Sequence, residues 1–104
     1  AAIATMKPGA IVVNTARGAA VDTEALACAL REGRLWGAGL DVFEGEPLAS
    51  DDPILTAPHT VLTPHAAYWS EESGVELRTR ACRAVLDLLA GRHPVDCLNP
   101  EVLA

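Results

Sequence analysis

At 104 residues the chain has room for one small domain with one core, and its 50% hydrophobic content is that of a chain that folds. A net charge of −6, from 8 basic and 14 acidic residues, argues against a nucleic-acid surface. No apolar run approaches the ~18 residues of a membrane span, and Lys7 and Pro8 interrupt any signal-peptide pattern.

AAIATMKPGA opens without a starter methionine or a capping signal, and the expectation is a piece of a longer protein. Ala10–Val13 reads as a strand between Pro8-Gly9 and Asn14. Its near-continuous apolar run is of the kind buried on both faces in a parallel sheet covered by helices. DTEALACALREGRL reads as a helix, with Asp22 as N-cap, Glu24 in the first turn, Gly33 just past the end, and Leu26, Ala29 and Leu30 as its apolar stripe. WGAGLDVF returns to strand character from about Trp36 to Val42, which makes strand, helix and strand a parallel crossover unit.

EGEPLASDDPILTAPH is acidic, carries three prolines, and reads as a loop with one short turn near Asp52 to Leu55. Thr60–Leu62 is a further short strand, closed by Pro64. From Ser70 to about Ala90 a long helix is expected, with Val75, Ala81, Cys82, Val85, Leu88 and Leu89 as its apolar face and Gly91 at its end. Ser70 and Ser73 do not make a full capping box by residue type, although Glu71 and Glu72 suit a first turn. The tail HPVDCLNPEVLA reads as irregular and is expected to pack on another domain.

Three parallel strands then end near Val13, Val42 and Leu62, and ligands of open α/β sheets bind at that carboxyl edge. Arg17, Asp41, Glu46 and His65 fall on this rim. Arg17 is a planar, permanently charged fork suited to a carboxylate, and the bland alternative is a surface ion pair. Gly18 would let the backbone approach a ligand or adopt a dihedral closed to other residues. His65, delivered from a turn stiffened by Pro64, is a natural acid–base group for a carbonyl/alcohol pair, or else a hydrogen-bonded structural histidine. Either Glu46 or Glu44 could orient it, and the residues alone leave that choice open. Asp41, a carboxylate within the second strand, must be paired or hydrogen-bonded, to a ligand amide or to backbone donors. His59 reads as structural and His93 as a possible helix-end cap. Cys28, Cys82 and Cys97 make neither a CxxC nor a disulfide framework, which points to a reducing cytoplasm. No metal-ligand spacing, GxGxxG or P-loop is present.

MKPGAIVVNTARG, VDTEALACALREGRLWGAGLDVFEGEP and VLTPHAA, in that order, resemble the D-isomer-specific 2-hydroxyacid dehydrogenases nearly end to end. HAAYWSEES, with the long helix and the LNPEVL tail, looks most like the C-terminal-binding-protein branch, which includes corepressors as well as relatives presumed to be enzymes. Within that branch Trp then Tyr follow HAA, whereas here the order is Tyr68 then Trp69. The resemblance implies an α/β fold: the second half of a Rossmann-type doubly wound parallel sheet over residues 1–69. Residues 70–104 would form a return helix and tail packing toward a mostly absent substrate domain. It implies Arg17, Glu46 (not Glu44) and His65 as catalytic residues. Thr15, Ala16, Arg17, Asp41, His65, Ala66, Ala67 and Tyr68 would line the nicotinamide end of NAD, or of NADP. The implied reaction moves a hydride between this cofactor and a 2-oxo/2-hydroxy acid pair. The implied partner is a second copy, in a homodimer through the nucleotide-binding domain, with no nucleic acid or membrane partner. The 104 residues alone are not expected to turn over substrate. The alternatives are an NAD(H)-sensing, corepressor-like interaction module and an inert scaffold in which the three rim residues are structural.

Overall fold

The apolar run ahead of Arg17 forms strand β1 (Ile11–Asn14), which continues through the crossover helix α1 (Thr23–Arg31) to β2 (Gly37–Leu40). The computed structural model describes residues 2–103. Residues up to 67 form one compact unit and residues from 68 onward a second. In the first unit β1, β2 and β3 (Thr60–Leu62) lie in that order as an all-parallel sheet. The α/β half-sheet expected from the sequence is therefore present, and all three strands end on the same edge.

Local chemistry accounts for each element. The Asp22 carboxylate accepts from the Ala25 N–H at 2.9 Å and starts α1. Gly33, at φ +70°, takes the left-handed position after the helix. Leu26, Ala29 and Leu30 face inward and meet Val12, Ala38, Leu40 and Ile54 in one core. Ile54 comes from the acidic loop, where the expected turn is a short 3-10 segment, Pro53–Thr56, capped by Asp52 through the Ile54 N–H. Arg31 clamps this segment to α1 by donating to the Pro53 carbonyl at 2.5 Å and the Thr56 hydroxyl at 2.9 Å.

Two expectations about the sheet change. β2 stops at Leu40, so Asp41 lies just past the strand and not within it. Within the first unit the sheet is also covered on one face only. Val13 and Val61 flank Gly39 in register and are 70% and 67% exposed. An apolar run marks a strand as buried but cannot say whether one face or two are covered by the same segment of chain.

Gly18 is a close-packing position. A Cβ placed there would lie 2.0 Å from the Phe43 carbonyl carbon and 2.4 Å from the Glu44 nitrogen. The neighbour is thus backbone of this chain, and the absence of a side chain brings the loop after β1 against the loop after β2.

In the second unit α2 spans Glu71–Leu89. Contrary to expectation its capping box is complete. The Ser70 hydroxyl accepts from the Ser73 N–H at 3.0 Å, and the Ser73 hydroxyl accepts from the Ser70 N–H at 2.7 Å. Serine has the reach for the reciprocal bond that glutamate or glutamine usually makes. Val75, Val85, Leu88 and Leu89 are exposed along the helix. The Gly91 and Arg92 amides close its end on the Leu88 and Asp87 carbonyls, without His93. The tail expected to be irregular contains a 3-10 turn, Pro100–Leu103.

In the intact protein Gly18→Ala is expected to cost about 1–3 kcal/mol, because a methyl group must displace backbone. Gly45→Ala, which points into open space, should stay within ~0.5 kcal/mol. Urea unfolding of both variants checks this, and equal midpoints would refute the close-packing role.

Candidate active site

The turn after β3 holds His65 in an unusual backbone conformation. Its φ is +53°, left-handed for a residue with a side chain, which costs of order 1–3 kcal/mol and persists only where the surroundings impose it. The His65 N–H donates to the Asp41 carbonyl at 2.9 Å and to the Thr63 carbonyl at 3.1 Å. The Asp41 side chain secures the rest of the turn. Its Oδ1 accepts from the Thr63 hydroxyl at 2.5 Å and the Ala66 N–H at 2.8 Å, and its Oδ2 accepts from the Ala67 N–H at 2.9 Å. Asp41 is 3% exposed, and the Thr63 hydroxyl bond, followed by the Ala67 and Ala66 amides, holds its carboxyl below the usual carboxylate range despite its burial.

Glu46 meets His65 directly, with Oε2 2.8 Å from Nδ1. Its other oxygen, Oε1, accepts from the Phe43 N–H at 3.0 Å, so the loop that carries the carboxylate also aims it. The His65 bond, with the Phe43 amide second, lowers the Glu46 pKa. An ionised carboxylate only accepts, so Nδ1 carries the hydrogen and Nε2 is the ring atom left for other work. An open, largely apolar pocket of about 390 Å³ flanks the pair, with Phe43, Leu48, Leu55, Leu62 and Pro64 beside them on its wall.

Arg17 is on the same carboxyl edge but not on that pocket's wall. It is exposed, and its Nη1 donates to the Ala16 carbonyl at 2.6 Å. Thr15 and Ala16 are exposed beside it, as are Ala66 and Ala67 after β3. The structure thus brings Glu46 and His65 into contact, places Asp41 beneath them, and links the Arg17 loop to theirs through Gly18. Glu44 makes no bond to His65. Tyr68 belongs to the second unit, where its carbonyl accepts from the Ser73 hydroxyl at 2.7 Å. His59 stacks on Trp36 with centroids 5.4 Å apart. No cluster of three or more metal-ligating side chains occurs among the described residues. A larger shallow concavity of about 640 Å³ on α2, beside Arg78, Cys82 and Leu86, has the Asp87–Arg92 ion pair in its wall and no histidine.

Sequence reasoning missed two polar residues. Thr63 gives no local sign of its bond to Asp41, whose partner is 22 positions away. Asn14 could have been found, because an asparagine whose side chain accepts from the amide two residues on is a recurrent turn device. Here its Oδ1 accepts from the Ala16 N–H at 3.1 Å.

Asp41 also allows a test of fit for a nicotinamide amide. Of about four acceptor positions on a carboxylate, three are taken, and Oδ2 has a single partner. One acceptor position on this buried carboxylate therefore remains.

A family profile described as D-isomer specific 2-hydroxyacid dehydrogenase, NAD binding domain, matches residues 1–67. The chain belongs to this family. It is 43% identical over 102 residues to a glyoxylate/hydroxypyruvate reductase B of Klebsiella pneumoniae (strain 342), covering 98% of this chain and 32% of that protein. A crystal structure of a Thermus thermophilus protein matches with a TM-score of 0.81 and 46% identity, over 89% of this chain and 30% of that one. An NADPH-dependent glyoxylate/hydroxypyruvate reductase of Sinorhizobium meliloti, solved with NADP and malonate, gives 0.75 and 32%, over 84% and 27%. This dehydrogenase-family chain spans about a third of the length of the curated relatives it matches. Among the described residues no helix is long and apolar enough to cross a membrane.

The two lowered carboxyls set an acid limit. Both titrate lower in the folded chain than their ordinary values of 3.8 for Asp41 and 4.5 for Glu46. The unfolded chain therefore binds more protons in acid. Their stabilisation is complete above those values and is lost as pH falls through the folded pKa values. Thermal melts from about pH 6 down to about pH 3 should show a falling midpoint, and Asp41→Asn should lower the neutral-pH midpoint and flatten the acid limb. An acid limb unchanged in Asp41→Asn would refute the assignment.

Proposed function

We propose that this chain supplies the nicotinamide-side half of the nucleotide domain of a D-2-hydroxyacid dehydrogenase that interconverts small 2-oxo and 2-hydroxy acids. The observation that supports it most is the 2.8 Å contact between His65 Nδ1 and Glu46 Oε2, which leaves Nε2 free at the ligand edge of a parallel sheet. The printed activity of the Klebsiella relative suggests glyoxylate and hydroxypyruvate as the first acids to try.

In this reading, bound NADH or NADPH supplies a hydride to the carbonyl carbon. His65 gives the carbonyl oxygen a proton from Nε2, and Glu46 keeps the ring oriented. Arg17 grips the substrate carboxylate with its fork and offsets charge growing on the oxygen. Asp41 accepts from the carboxamide through its remaining acceptor position, while Thr15, Ala16, Ala66, Ala67 and Tyr68 line the nicotinamide. Residues 70–104 form a return helix and tail toward a substrate domain. The whole protein works as a cytoplasmic homodimer joined through its nucleotide domains, in keeping with free Cys28, Cys82 and Cys97. HAAYWSEES favours a second reading within the C-terminal-binding-protein branch, an NAD(H)-sensing, corepressor-like interaction module with little or no turnover.

A panel of 2-oxo acids with NADH and NADPH, assayed on the intact protein, separates the two readings. The enzyme reading expects turnover, and cofactor binding without any turnover selects the binder. His65→Asn should lower kcat by ~10²–10⁴-fold. Arg17→Lys should raise the KM for the acid, because a point charge does not reproduce the fork. An unchanged rate in His65→Asn would sink the proton-donor role.

A further inference from the structure

Arg17 is exposed, and among the described residues its guanidinium rests only on the carbonyl next to it. Such a side chain can grip a carboxylate only if its backbone is fixed from below. Asn14, the last residue of β1, meets that need. It is 6% exposed, and both ends of its amide are used by the loop that presents Arg17. Nδ2 donates to the Arg17 carbonyl at 2.8 Å, and Oδ1 accepts from the Ala16 N–H at 3.1 Å. Only one orientation of the amide satisfies both partners, since the carbonyl needs a donor and the N–H an acceptor. The Asn14 carbonyl in turn accepts from the Asp41 N–H at 3.0 Å. Two buried polar residues, directly bonded, thus stand at the ends of neighbouring strands. One holds the turn of His65, and the other holds the turn of Arg17.

We infer that Asn14 is a positioning residue for substrate-carboxylate binding, acting through Arg17. This rests on the dehydrogenase reading above. Aspartate, leucine or alanine at position 14 can each end a strand, but none supplies a donor and an acceptor together. The misplacement of Arg17 expected on losing them is of the order that costs a tenfold or larger factor in holding the substrate carboxylate.

The test is a double-mutant cycle in the intact protein, with glyoxylate as the acid and saturating nicotinamide cofactor. Asn14→Ala should raise the KM for glyoxylate roughly tenfold while kcat changes less and NADH affinity, read by fluorescence, stays at the parent value. Asn14→Asp keeps the acceptor for Ala16 and loses the donor to Arg17, and it should shift KM in the same direction. Added to Arg17→Ala, Asn14→Ala should cost nothing more, because a residue acting through Arg17 has nothing left to position. A merely structural role would add its full effect in that background and weaken NADH binding as well. Additivity, or a parent-like KM in both single variants, overturns the inference. Should Asn14→Ala fail to fold, the cycle is run with Asn14→Asp. If the parent protein turns over no 2-oxo acid, the dehydrogenase reading fails by itself. Amide exchange then decides the positioning: Asn14→Ala should speed exchange at Ala16 and its neighbours alone, and unchanged exchange there overturns it.

Discussion

A single buried carboxylate organises the ligand edge of this sheet. Asp41 emerges where β2 stops, and its side chain and backbone together reach Asn14, Thr63, His65, Ala66 and Ala67. A carboxylate out of water is costly unless its oxygens are satisfied. Here three donors from one turn satisfy it, so the cost of burying the charge and the cost of the left-handed His65 backbone are met by the same bonds. Remove the carboxylate, and two backbone amides and a hydroxyl lose their partner at once. That coupling explains why the reactive ring can sit exposed on a loop and still be held.

Glycine completes the arrangement where side chains would obstruct it. Gly18 lets the loop after β1 lie against the Phe43 and Glu44 backbone. That contact carries the Arg17 segment to the loop from which Glu46 reaches His65. Arg17 and Glu46 belong to different strand ends, and no local propensity could set their spacing. It is set by how nearly two backbones can touch.

The acid–base pair itself is half exposed, with side-chain accessibilities of 48% for His65 and 37% for Glu46. An ion pair in that setting contributes little stability in water. Its geometry is secured by the Phe43 amide on Glu46 and by the backbone bonds of His65, so orientation does not depend on the strength of the pair. The buried polar residues supply rigidity, and the exposed ones stay available for chemistry.

Much of this could be read from residues in order. Asp22, Gly33 and the Leu26–Leu30 stripe define α1 through bonds and periodicities that span a few positions. The three strands and their common carboxyl edge follow from apolar runs of strand length joined by a crossover. The acidic and basic rim residues were legible as types, because the chemistry of a guanidinium or an imidazole belongs to the side chain wherever it lies. What the chain order could not decide was partnership across distance. Thr63 beneath Asp41, Gly18 against Phe43 and, within the first unit, the one-sided cover of β1 all depend on segments far apart in the chain meeting in space. Local sequence determines which groups a strand end can offer. Only the packed fold, by fixing backbone against backbone, determines which of them face one another.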